Sequence, residues 1–261
     1  MLDLKVYKQN VYLTYSEQDG KDDDEATTAL ALATYKDKKL SLFKKIFTAN
    51  AMGDTSRHFG SRLEIVSDHL FMTIGDRGQR HKAQDLKVHN GKILRLKLDG
   101  SLPTDNPFAS SYVWSYGHRN PQGIVYDHKN KILYNCEFGP RGGDEVDIVN
   151  PKKNYGWPVI TYGKEYWGPS IGTTHKKGME QPLLYYVPSI SPSGMAIYQG
   201  NLYLAALGDQ HIQKIVFDQG KVKSQAKLLK SLNERFRVLR LGPDGKLYAS
   251  TDSGKILLLN L

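Results

Sequence analysis

NLYLAALGD, residues 201–209, is the stretch that decides how this chain folds. A turn residue opens it, an apolar and aromatic run follows, and an acidic residue closes it. Echoes of the same pattern stand at 10–16 (NVYLTYS), 69–76 (HLFMTIGD), 131–137 (KILYNCE) and 246–252 (KLYASTD). Companion runs flank several copies: RLEIVS at 62–67, GKILRLKL at 91–98 and GKILLL at 254–259. GPDGKLY at 242–248 places Asp-Gly between two strand-forming runs, a strong hairpin signal. No segment carries apolar residues at helical spacing over three turns. Recurrence of a small antiparallel unit predicts an all-β fold of propeller type, a single domain over residues 1–261. The irregular spacing implies insertions, the largest at 150–192. A β-sandwich is the competing fold, and it leaves the recurring motif unexplained.

Composition agrees with this. Of 261 residues, 16 are Tyr and 24 are Gly, and 39% are hydrophobic, a profile of turn-rich β-structure with a substantial core. The single cysteine, Cys136, forms no intrachain disulfide. No apolar run reaches membrane-spanning length, and the opening MLDLKVYKQN lacks the apolar centre of a secretion signal. The net charge of +9 is spread as lysine pairs at turns (38–39, 44–45, 152–153, 176–177). Scattered lysine solvates and protects edges, whereas nucleic-acid binding calls for a concentrated stripe, so nucleic acid is set aside. The same field attracts a small polyanion. The acidic stretch 18–25, QDGKDDDE, reads as a solvated hairpin tip, because it lacks the alternating ligands and distal Glu of a calcium loop.

Chemistry concentrates in residues 114–158. Two polar, glycine-marked turns, GHRNPQG (117–123) and EFGPRGGDE (137–145), sit at the mouths of apolar runs. The first sets Arg119 beside Asn120; the second sets Gly139 and Pro140 ahead of Asp144 and Glu145. Guanidinium and carboxamide donors suit a planar, oxygen-rich ligand, and carbonyls with carboxylates suit a hard cation. Taken singly, each turn is also explained by backbone needs alone. His58 and His81 lie near Asp76 in the chain, and a lone histidine in a β protein is more often structural than catalytic. Arg235 and Arg237 alternate along an expected strand and share one face. Two adjacent guanidiniums call for an anion between them, either a ligand or a surface acid such as Glu234.

In series, RHFGSRL, IGDRG, WSYGHRNPQG, EFGPRGGDE, NYGWPVITYG, PSISPSGMAIY and ERFR followed by GPDGKLY resemble the soluble pyrroloquinoline-quinone-dependent aldose sugar dehydrogenases, relatives of glucose and sorbosone dehydrogenase. The resemblance runs from about residue 11 to the C-terminus. It implies a six-bladed propeller carrying the quinone over its axis, an aldose oxidised at the anomeric carbon to a lactone, and an external electron acceptor. Residue by residue it implies His58 as the general base, with hydride passing from the sugar to the quinone. Asp76 would orient that histidine. Arg119, Asn120, Arg235 and Arg237 would contact the cofactor. Main-chain carbonyls of Gly139 and Pro140 would hold the cofactor's calcium, and Glu145 and Tyr155 would hold a second, structural calcium. A periplasmic or secreted location comes with the family.

The chain also departs from the family pattern. A strand pair upstream of Val11, part of the first blade, is expected to be missing, leaving open edges and exposed apolar surface. Gly208 stands where some relatives carry a cofactor-contacting lysine, Phe138 where His or Gln is common, and Asp147 where Asn is. A shortened propeller that binds a ligand or partner without turnover is the alternative function. A calcium-dependent propeller lactonase fits the arginine-rich set poorly.

Overall fold

The structure is a computed structural model that describes residues 1–18, 20 and 25–261. Its described residues form twenty β-strands and two short 3-10 turns, Arg80–Gln84 and Lys230–Leu232. The acidic stretch at 18–25 falls largely outside the described residues.

The strands pair in chain order into five antiparallel sheets, the pattern of a β-propeller. The first contains β1 (Asp3–Tyr7), β2 (Asn10–Gln18), β3 (Ala26–Lys36), β4 (Lys39–Leu40) and β5 (Lys44–Thr48). The second is β6 (Gly60–Val66), β7 (His69–Ile74), β8 (Lys92–Lys97) and β9 (Val113–Tyr116). The third is β10 (Pro121–Asp127), β11 (Ile132–Glu137), β12 (Asp144–Ile148) and β13 (Leu184–Tyr186). The fourth is β14 (Pro192–Tyr198), β15 (Asn201–Ala206), β16 (His211–Asp218) and β17 (Lys221–Leu228). The fifth has three strands, β18 (Phe236–Leu241), β19 (Leu247–Thr251) and β20 (Ile256–Leu259). Six sheets are implied by the resemblance, and the described residues form five.

The five sequence echoes occupy one structural position. They become β2, β7, β11, β15 and β19, the second strand of every sheet. A second strand has neighbours on both edges, and in the middle three sheets it is covered on both faces. β7, β11 and β15 are therefore buried at every residue but the first, which favours apolar residues, with Thr73, Asn135 and Glu137 as buried polar exceptions. β2 and β19 keep a partly alternating pattern instead. The hairpin read at 242–248 joins β18 to β19, with Leu241 opposite Leu247 and Gly245 at φ +74°.

The chain divides into two compact units. One comprises Met1–Pro121, Val149–Thr161 and Gly172–Gln181, the other Gln122–Ile148, Tyr162–Ile171 and Pro182–Leu261. The first unit's core gathers Tyr12, Leu30, Leu63, Leu70, Met72 and Leu94 from β2, β3, β6, β7 and β8. The second has two clusters, one around Cys136, Val146 and Leu204, the other around Tyr203, Phe236 and Leu247. Each such side chain stabilises its unit by about 1.5–3 kcal/mol. The edge strands β1 and β20 expose Leu4 and Val6, and Ile256 and Leu258, respectively.

Candidate active site

In the first unit the loop before β6 turns His58 onto Asp76, two residues past the end of β7. His58 Nδ1 lies 2.7 Å from Asp76 Oδ1. Asp76 is nearly buried and accepts further hydrogen bonds from the Gly78 N–H to Oδ1 and the Trp157 indole N–H to Oδ2, both at 2.8 Å. Burial alone would push this carboxyl up. The His58 hydrogen bond, the neighbouring imidazole, the Gly78 N–H and the Arg119 guanidinium outweigh it and hold the group below its usual value. Asp76 is thus an anion held by donors, and in neutral His58 this hydrogen bond places the ring proton on Nδ1.

Local backbone geometry makes this approach possible. His58 adopts φ +58°, a left-handed conformation that costs a non-glycine residue about 1 kcal/mol or more. Its carbonyl packs against Gly75, where an added Cβ would sit 2.0 Å from His58 O. Arg77, fully buried, clamps the loop from below. Its guanidinium donates to the carbonyls of Ala26, Gly53, Thr55 and Arg57 and covers the Phe59 ring at 3.5 Å. Burial pulls its pKa down to about 10, so it stays charged at neutral pH.

Arg119 and Asn120 join the same surroundings. The Asp76 N–H donates to Arg119 O at 2.8 Å, and Asn120 Oδ1 accepts from the Gly60 N–H at 3.3 Å. The Arg119 guanidinium lies 5.3 Å from the centre of the Trp157 ring. Behind them, buried Lys92 donates to the carbonyls of Lys82, Ala83 and Asn90, and burial lowers its pKa to about 7. Tyr155 stacks on His118 at 4.7 Å and its hydroxyl accepts from the Asn150 N–H. His81 is exposed on the 3-10 turn, away from this arrangement.

In the second unit a series of hydrogen bonds ties the remaining expected residues together. The Gly139 N–H donates to Asp144 Oδ1 at 2.9 Å, and Asp144 Oδ2 accepts from the N–H groups of Ile190 and Ser191 at 2.8 Å. Burial raises the Asp144 carboxyl even so, against the pull of these bonds and of Ser189. Leu207 N–H and Gly208 N–H donate back to Ser191 O and Ile190 O. Arg235 donates to Leu207 O and to Asp252, and Arg237 donates to both oxygens of Asp252. The Gly139–Pro140 turn and the arginine pair are thus one connected framework. Glu145, partly buried in β12, has its carboxyl pushed well up by burial and by Asp147, Glu137 and Asp144.

The arginine pair differs in detail from its expected form. β18 begins at Phe236, so Arg235 precedes the strand, and Arg237 falls in the register shift between Phe236 and Val238. Bulges re-aim side chains near functional sites. The acid between the guanidiniums is Asp252, while Glu234 pairs with Lys255 and Ser253. The Arg237 hydrogen bond foremost, with that of Arg235, keeps Asp252 below its usual pKa. Trp157, Arg77 and Asp252 escaped the sequence reading. All three sit within quoted motifs, but no spacing rule marks a guanidinium, an indole or a second carboxylate as a partner of a distant residue.

Residues 3–259 match the family model described as Glucose / Sorbosone dehydrogenase. Over 270 residues the chain is 38% identical to aldose sugar dehydrogenase YliI of Escherichia coli, covering 95% of this chain and 72% of that protein. It superposes on the apo-form of the soluble aldose sugar dehydrogenase of E. coli with a TM-score of 0.90, at 37% identity, over 96% of this chain and 77% of that one. The PQQ-bound aldose sugar dehydrogenase of Streptomyces coelicolor matches with a TM-score of 0.80 at 27% identity, over 96% and 74%. The chain belongs to the glucose/sorbosone dehydrogenase family, and it is an oxidoreductase of the sugar dehydrogenase class. No helix among the described residues is long and apolar enough to cross a membrane.

Proposed function

We propose that this protein oxidises aldoses at the anomeric carbon to lactones, with pyrroloquinoline quinone as its redox cofactor and an external acceptor taking the electrons. The His58–Asp76 pair carries this reading. Because Asp76 holds Nδ1–H, Nε2 is the free basic atom, and it accepts the proton of the anomeric hydroxyl. The imidazolium that forms is stabilised by the carboxylate 2.7 Å away. Asp76 itself has no need to move, since Gly78 and Trp157 hold its other lone pairs.

The residues present fit the cofactor. Its acid groups match guanidiniums, and Arg235 and Arg237 are side by side and only half-buried, still open to an anion. Arg119 and Asn120 are assigned to the same ligand. Gly139 has no room for a side chain, since an added Cβ would meet Gly143 O at 2.2 Å. The carbonyls of Gly139 and Pro140 are assigned to the cofactor's calcium, and Glu145 and Tyr155 to a structural calcium. When bound, the quinone supplies the hydride acceptor, and its calcium supplies Lewis-acid polarisation. The five sheets are read as belonging to a six-bladed ring, and the compartment as periplasmic or extracellular, as in the family resemblance.

The test is direct. Protein mixed with calcium, quinone and a panel of aldoses should reduce an acceptor dye in a quinone-dependent way. Absence of turnover with every sugar, beside an active full-length relative, overturns the proposal.

A further inference from the structure

The segment TYKDKKLSLFKK, residues 34–45, is exposed at every position, the longest such run among the described residues. It sets Lys36, Lys38, Lys39, Lys44 and Lys45 against a single acid, Asp37, and adds four large apolar side chains, Tyr35, Leu40, Leu42 and Phe43. At 94%, Leu42 is the most exposed large apolar residue among those described. The backbone beneath it is fixed by local bonds. Asp37 and Lys38 take φ of +51° and +60°, the pair of positive values that a two-residue type I′ turn requires, and they join β3 to β4. This hairpin sets Tyr35 opposite Leu40, so the two share a face. Ser41 then ties the chain back: its N–H donates to Thr34 O at 2.9 Å, and its hydroxyl accepts from the Thr34 N–H at 2.8 Å. Leu42 and Phe43 follow outside any strand, and β5 begins at Lys44.

Edge protection explains lysines on such a hairpin, but it gives no reason to hold four large apolar side chains in water beside them. Of the five lysines, Lys45 alone forms an ion pair among the described residues, with Glu17. Lys8 adds a further cation in the neighbouring turn, where Gln9 O accepts from the Tyr35 N–H. Apolar groups set between cations complement an anionic bilayer. The apolar side chains enter the headgroup layer, lysine stems lie along the apolar surface, and the ammonium groups reach phosphates. An acidic protein face would match the lysines alone. Leu42 touches almost nothing in its own chain, the posture of a side chain that inserts into a soft layer. We propose that residues 34–45 form a peripheral membrane-binding element that docks on a bilayer rich in anionic phospholipid. The opposite end of β3 lies by the candidate site, since Ala26 O accepts from Arg77, which clamps the His58 loop. β3 runs 11 residues from Ala26 to Lys36, so its ends are about 30 Å apart and docking leaves His58 clear of the bilayer. The proposal stands apart from the redox reading.

The test is co-sedimentation of the full chain with vesicles of phosphatidylglycerol and phosphatidylcholine in equal parts, beside vesicles of phosphatidylcholine alone. Wild type should bind the anionic vesicles, bind the neutral ones about tenfold or more less tightly, and lose affinity as salt rises. Lys38→Gln with Lys39→Gln should weaken binding about fivefold per lysine. Leu42→Ser with Phe43→Ser keeps the charge and should weaken it on the order of tenfold. Lys176→Gln with Lys177→Gln removes equal charge elsewhere and should leave affinity within about twofold. All six residues are exposed, so Tm should hold in each variant and lost binding is not lost folding. The proposal is overturned if wild type ignores anionic vesicles at low salt, or if the Leu42 and Phe43 variant binds as tightly as wild type. It is equally overturned if the 176–177 pair costs as much as the 38–39 pair, the signature of attraction by net charge alone. Self-association that the Leu42 and Phe43 variant abolishes, with no vesicle binding by wild type, would assign the patch to a second copy of the chain and overturn it as well.

Discussion

The His58 loop and the Arg235–Arg237 loop are held in opposite ways. The histidine's partner is nearly buried, accepts from Gly78 and Trp157 besides His58, and sits where Arg77 and Gly75 leave the backbone no freedom. The arginines are 49% and 41% exposed at their side chains and lean on a single carboxylate, Asp252, itself partly exposed. Buried, saturated hydrogen bonding fixes direction and protonation; exposed charge-assisted pairing fixes position loosely and exchanges partners cheaply. The proposed proton acceptor calls for the first and the proposed anion receptor for the second. The two regions therefore fail differently when altered.

The largest effect is expected at His58, the proposed base. His58→Ala should lower turnover by roughly 10³-fold while leaving quinone affinity and Tm nearly unchanged; an equal loss of cofactor affinity would move His58 into the binding set. Asp76→Asn keeps the shape and removes the charge. It should cost roughly 10²-fold in kcat and alter the pH profile, because the amide no longer fixes the Nδ1–H tautomer. Gly75→Ala, read by chemical denaturation, should destabilise by about 1–3 kcal/mol, since its Cβ would collide with His58 O. Arg237→Gln should leave stability within about 0.5 kcal/mol and weaken quinone binding about tenfold. A loss of stability there with unchanged quinone affinity would make the pair merely structural.

The smallest effect separates buried from exposed charge by pH. Lys92 has a folded pKa of about 7 against an ordinary 10.5. Between these values the unfolded chain binds the extra proton, so Lys92 makes stability rise as pH increases from about 7 towards 10.5. Denaturation at a series of pH values should show a steeper rise in wild type than in Lys92→Met. Asp76 acts in the other sense: its depressed pKa contributes stability that is whole above the ordinary 3.8 and is lost as pH falls below it.

Much of the fold was legible because strand burial is written as local composition. The five echoes mark the second strands, three of which are buried at every residue but the first. The single-domain expectation stands beside a chain that divides into two compact units, a division that depends on which loops pack where. Of the site, His58 and Asp76 were legible as candidates and the structure joins them. Arg235 and Arg237 were read as strand neighbours, yet one precedes β18 and the other lies in its bulge, because hydrogen-bond register is set by the partner strand. Trp157 is 81 residues from Asp76, a separation at which no periodicity carries information.

The sequence by itself determined an all-β chain of repeated antiparallel units, the positions of their second strands, and the residue types from which a proton acceptor and an anion receptor are made. Only the tertiary structure decided which partner each group received: Trp157 and Gly78 for Asp76, and Asp252 for the arginines. The physical reason is range. Propensity and alternation act over a few neighbouring residues, whereas hydrogen bonds, desolvation and Coulomb forces act between groups brought together by folding, whatever their distance along the chain.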